Sequence, residues 1–185
     1  MFFERQNDFS SPKTDLWAYA AQINSELANL GKSITQMTST DVRYVPFSNY
    51  YIPPGTVPWT KGAGNDPYIT GITHAPNDDF LEILVGHFRD DSGEFYTMVQ
   101  NVRHTHGDFP INRPDPGTVR ISFDFSKAPF NFEKSRVLAL NKLTGQVENV
   151  GLTHRDGDAG FLDIKLAAGD PFLFKYATGA SFALR

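Results

Sequence analysis

A mainly β chain, an antiparallel β-sandwich of about eight strands behind one long N-terminal amphipathic α-helix, is the fold class this sequence predicts. Three observations lead there. Alternating segments such as TVRISFDF (118–125) recur at short intervals and are separated by turn residues. The pair FLEILVGHF (80–88) and EFYTMVQNVR (94–103) flanks Asp91-Ser92-Gly93, which is hairpin chemistry. Helical periodicity is strong in one place, where Leu16, Ala20, Ile23, Leu27, Leu30, Ile34 and Met37 repeat at spacings of four and three.

The helix is delimited by its own sequence. Ser11-Pro12 supplies an N-cap and a proline at the first helical position, and Asp15 lies close to the positive helix end. Gly31 interrupts the composition but not the phase, so the helix is expected to run through it with a weak point there. Burying the whole stripe is worth on the order of 10 kcal/mol as an upper bound. A face of that value needs a covering surface, and Leu16, Ile23, Leu27, Leu30, Ile34 and Met37 are the expected interface. Residues 1–41 then form a lead-in and helix, and 42–185 the sandwich.

The strands follow in order. A short one opens at Val42–Phe47, and a loop from 46 to 68 rich in proline, glycine and aromatic residues comes next. YITGITH (68–74) precedes the hairpin, in which Leu81, Ile83 and Val85 share a face. In 118–125, Val119, Ile121, Phe123 and Phe125 point in while Arg120, Ser122 and Asp124 point out. SRVLALN (135–141) turns through Leu143-Thr144-Gly145 into QVENVGL (146–152). GFLDIKL (160–166) turns Leu162, Ile164 and Leu166 inward, and PFLFKY (171–176) does so with Phe172, Phe174 and Tyr176.

Composition narrows the function. The 185 residues carry a net charge of −4 and no Lys/Arg cluster, which argues against nucleic-acid or anionic-membrane partners. The absence of cysteine removes disulfides, thiolate metal sites and cysteine nucleophiles. MFFERQNDFSSP has neither a basic n-region nor an apolar core, so no export signal is expected, and the compartment stays open.

The side chains offer three chemistries. His104, His106 and Asp108 alternate in RHTHGD, and on an extended strand they would present imidazole and carboxylate ligands on one face, as a small metal-dependent enzyme requires. The following Gly-Asp-Phe-Pro turn argues against that geometry, and His74, His87 and His154 stand singly, so no metal or other cofactor is expected. Glu82, Glu94, Glu133 and Glu148 could supply the paired carboxylates of glycoside hydrolysis, but each falls where strands and turns expose charge. No G-x-S-x-G, phosphate loop or H-E-x-x-H occurs. Catalysis is therefore not expected. The aromatic loop is the stronger candidate. Tyr50, Tyr51, Trp59 and Tyr68, with Asn49, Asn65 and Asp66 among them, are residue types that stack on a pyranose and bond its hydroxyls, as an autonomous carbohydrate-binding module would. The same rings serve equally well to pin a long loop onto a sandwich.

WAYAAQINSELANLGKSITQMTSTDVRYV (17–45) resembles a segment near the end of the catalytic barrel in bacterial glycoside hydrolases of the β-galactosidase-like (β/α)8 group, with Ile23, Asn24, Glu26, Leu27, Leu30, Gly31 and Ile34 carrying the match. FLEILVGHFRDDSGEFYTMVQNVR (80–103) and VLALNKLTGQVENVGLTHRDGDAGFLDIKLAAGDPFLFKY (137–176) resemble the C-terminal β-sandwich of such enzymes. The resemblance implies a last barrel helix plus accessory sandwich, non-catalytic by itself, with weak sugar contact, self-association or docking to a barrel, in a family whose members are often exported. A (β/α)8 barrel needs about 250 residues, so this chain cannot contain one.

Overall fold

The computed structural model describes residues 15–46, 52–75, 82–102, 116–129 and 137–185. Among these described residues one α-helix, α1, spans Asp15–Ile34, and ten strands follow: β1 Met37–Val45, β2 Ile69–His74, β3 Ile83–Asp90, β4 Phe95–Asn101, β5 Gly117–Asp124, β6 Val137–Leu140, β7 Val147–Val150, β8 His154–Asp156, β9 Ala159–Leu166 and β10 Pro171–Tyr176. They form a six-stranded sheet, β1-β3-β4-β10-β6-β7, and a four-stranded sheet, β2-β5-β9-β8. All the strand pairs are antiparallel. The fold class expected from the sequence is the one observed: mainly β, in two antiparallel sheets behind an N-terminal helix.

The alternating segments do what their period dictates. Val119, Ile121 and Phe123 of β5 lie against Ile83, Val85 and Val99 of the opposite sheet, and all are essentially inaccessible to solvent. Phe123 stacks on Phe125 with ring centres 5.4 Å apart and meets Phe174 edge-on at 6.1 Å. The β3–β4 turn is built by Asp90, whose Oδ1 accepts the Ser92 and Glu94 N–H groups, while Gly93 takes the left-handed conformation the turn requires (φ 85°). Asn141 organises the β6–β7 turn in the same way, accepting from the Leu143 and Thr144 N–H groups.

Two boundaries differ from the sequence reading. The apolar spacing stays in phase to Met37, but the helix ends at Ile34 and Met37 is the first residue of β1, which therefore begins five residues before Val42. Thr35-Gln36 makes the turn, and the packing of Met37 against the sheet replaces its place on a helix. The short strand β8, with exposed His154, Arg155 and Asp156, carries no apolar alternation and was not visible in the sequence.

The helix divides into two parts. Leu30 is buried, and with Ile34 it joins Tyr96, Leu140, Leu173 and Phe182 in a second cluster on the outer face of the six-stranded sheet. Asn29 Nδ2 donates to the Lys142 and Leu143 carbonyls, Lys142 Nζ bridges Glu26 (2.8 Å) and Asp170 (2.6 Å), and the Arg185 N–H donates to the Lys32 carbonyl. Gly145 permits this approach, because a Cβ there would lie 2.6 Å from Asn29 Oδ1. Before Leu30 the stripe is more open: Ile23 is 55% and Leu27 60% exposed, and Trp17 and Tyr19 beside it are also exposed.

Two substitutions probe the two packing layers. Phe123→Ala removes a ring from the centre of the inter-sheet core and is expected to lower the unfolding free energy by about 3–5 kcal/mol in urea titration. Ser33 Oγ is buried with no hydrogen-bond partner among the described residues. Ser33→Ala is expected to stabilise by about 1 kcal/mol, raising Tm by about 2–4 °C in calorimetry.

Candidate functional site

Three features concentrate polar chemistry in this molecule. The first surrounds His87 on β3. Its ring is buried; the Trp59 Nε1–H donates to Nε2 at 3.3 Å, so the neutral ring carries its proton on Nδ1, which lies 3.3 Å from Thr97 Oγ1. The one-turn 3-10 helix Ala63–Asn65 closes over the ring. Gly64, in the left-handed region at φ 63°, packs its backbone onto the His87 side chain, which a Cβ would overlap. Asp41 holds this turn, accepting the Gly64 N–H (2.9 Å) and the Arg43 Nε–H (2.8 Å) on one oxygen. Burial works to raise the Asp41 carboxyl, but the Arg43 and Gly64 bonds outweigh it and hold it below the usual range. Burial pushes the His87 imidazole down, against the opposing pull of Asp66 and Asp41.

The second feature is Asp66, buried just before β2. Its carboxylate accepts the Tyr68 and Ile69 N–H groups and the Tyr176 hydroxyl, the last at 2.8 Å. This is a joint between the sheets, since Ile69 begins β2 and Tyr176 ends β10. Burial raises the Tyr176 phenol well above its ordinary value, and the Asp66 charge adds to it, so the hydroxyl stays a donor.

The third is a cleft of about 280 Å³ at one end of the sandwich. Tyr68 approaches from the start of β2, Gly93, Glu94 and Phe95 from the start of β4, Pro129 from beyond β5, and Tyr176 and Thr178 from the end of β10. Tyr68 is braced edge-on against Tyr176 (5.0 Å) and tilted against Phe125 (5.6 Å). Glu94 is fixed from below. Its Oε2 pairs with the fully buried Lys175 Nζ at 2.9 Å and accepts the Thr178 hydroxyl at 2.6 Å. Lys175 also donates to the Ala180 and Ser181 carbonyls, which ties the C-terminal segment to the sheet.

The residues singled out from the sequence are distributed unevenly over these features. Trp59 is half-buried on the core and bonded to His87, and Asp66 is wholly engaged inside the protein. Tyr68 alone of that group lines the cleft. Tyr50 and Tyr51 lie outside the described residues, as do His104, His106 and Asp108. Among the described residues no group of three His, Asp or Glu side chains is placed to hold a metal ion, and no helix is long and apolar enough to cross a membrane. Lys175, Tyr176 and Thr178 were missed as site residues. The lysine inside the otherwise apolar PFLFKY was the one signal that could have found them, because a cation in such a strand needs a counter-charge when both faces are covered.

Comparison with known proteins returns no matching protein family, no matching curated protein and no matching solved structure.

The His87 environment carries a pH dependence of defined sign. Its folded pKa lies below the unfolded value of about 6.5, so the unfolded chain takes up a proton that the folded chain refuses. This contribution to stability is complete above about pH 6.5 and is lost as pH falls below it. Urea midpoints of the wild type are expected to decline between pH 7 and 5 more steeply than those of His87→Gln, which lacks the titrating ring.

Proposed function

We propose that this chain is a non-catalytic accessory β-sandwich that works by docking, through the exposed part of the α1 stripe around Ile23 and Leu27, against a larger domain of the glycoside-hydrolase kind its sequence resembles. The observation that carries the reading is the split stripe of the helix. Its last turns are clamped to the sandwich through Leu30, Asn29 and the Lys142–Glu26 pair, while Ile23 and Leu27, on the same stripe, stand exposed. A helix fixed rigidly at one end and apolar beyond it offers a pre-positioned surface, and the ordering cost of association is largely met in advance. The engagement of His87, Asp66 and Lys175 in internal bonds supports the non-catalytic part of the reading, because groups so fixed serve packing rather than proton transfer.

The test is a pair of charge substitutions. Leu27→Asp is expected to leave stability within about 0.5 kcal/mol, since the site is exposed. Leu30→Asp, which buries a carboxylate against Leu173 and Phe182, is expected to cost at least about 3 kcal/mol. In sedimentation velocity the wild-type stripe is expected to drive concentration-dependent self-association when no other partner is present, and Leu27→Asp to abolish it. A wild type that stays monomeric at high concentration and matches Leu27→Asp counts against the docking role. Turnover of aryl glycosides by the pure chain counts against the non-catalytic one.

A further inference from the structure

The end cleft has no part in helix docking, yet it is built as a site. We propose that the cleft between Tyr68, Glu94, Phe95, Tyr176 and Thr178 binds a single neutral polyhydroxylated ring, the terminal pyranose of a glycan.

Shape and chemistry converge on that ligand. Tyr68, Phe95, Pro129 and Tyr176 line the cleft, and rings of this kind suit the C–H face of a sugar ring. Glu94 and Thr178 place a carboxylate and a hydroxyl at the rim, where they meet ring hydroxyls. Both polar groups are pre-positioned by their bond to each other, and Glu94 meets Lys175 and Thr178 through the same oxygen, Oε2. At about 280 Å³ the cleft is slightly smaller than the ~300–1,000 Å³ of sites for drug-sized molecules, so it takes one ring at a time.

Charge selects against ionic ligands. A lone glutamate among aromatic rings would favour an ammonium group. Here Lys175 Nζ lies 2.9 Å from the carboxylate and offsets most of its field. A neutral ligand that both donates and accepts hydrogen bonds loses nothing to this arrangement.

This assignment shares the non-catalytic premise of the docking reading but uses different residues. It is tested by titrating the full chain with methyl β-galactopyranoside, methyl α-glucopyranoside and methyl α-mannopyranoside, with choline chloride as the cationic rival, while amide chemical shifts are followed by NMR. At least one pyranoside is expected to saturate, with a Kd of about 1–10 mM, and to shift the Gly93, Glu94, Phe95 and Thr178 amides. Tyr68→Ala is expected to weaken binding about tenfold. Thr178→Trp, at an exposed position, is expected to plug the cleft without touching the core and to abolish the shifts, which covers the case in which Tyr68→Ala does not fold. Absence of shifts with all three pyranosides up to about 100 mM, saturation by choline alone, or unchanged binding in Thr178→Trp overturns the proposal. Those failures leave the Leu27→Asp result, and with it the docking reading, unaffected.

Discussion

The centre of the six-stranded sheet depends on a buried lysine finding its counter-charge. Strand β10 lies between β4 and β6, and both of its faces are covered. Phe174 and Tyr176 enter the core between the sheets; Leu173 and Lys175 lie on the other side, beneath α1 and the C-terminal segment. A cation in that setting is tolerable only because Glu94 meets it at 2.9 Å and two carbonyls of the chain end complete its coordination. One interaction therefore fixes the β4 start, the β10 end, the C-terminal segment and a wall of the cleft.

Other polar residues of the interior, Ser33 excepted, follow the same rule. Asp66 joins the two sheets through the Tyr176 hydroxyl and the first backbone groups of β2, and His87 joins β3, β4 and the 3-10 turn through Thr97 and Trp59. Each is buried with its bonding capacity directed inwards, which raises specificity of packing more than net stability. The Tyr96 phenol, pushed up to about 12 chiefly by burial, belongs to this set: it donates to Asp90 and accepts the Ala183 N–H, anchoring the chain end to the β3–β4 hairpin.

Legibility in the sequence tracked periodicity. The alternation of Val119, Ile121 and Phe123, and of Leu162 and Leu166, identified strand and facing together, because a period of two admits one buried face. It failed where neither face is buried, as in β8, and in PFLFKY it identified the strand and its inward face but not that Leu173 and Lys175 on the other face are buried as well. It also overran the helix: Met37 is in phase with the stripe, but phase does not show where a chain leaves one element for the next. The aromatic loop was legible as a place where rings gather. Which rings bind inward was not, since Trp59 and Tyr68 differ only in whether a cleft happens to open beside them.

The sequence by itself determined the class of fold, the helix, the clearest hairpin and the inward residues of the sandwich, all of which follow from local spacing and turn chemistry. The pairing of Lys175 with Glu94, the joint at Asp66, the clamp that splits the helix stripe at Leu30 and the cleft at the sandwich end were decided by tertiary structure alone. Each brings together residues far apart in the chain, from 81 positions for Glu94 and Lys175, through 110 for Asp66 and Tyr176, to 116 for Glu26 and Lys142. No local pattern encodes such distances; they appear only when two sheets and a helix have closed around a common interior.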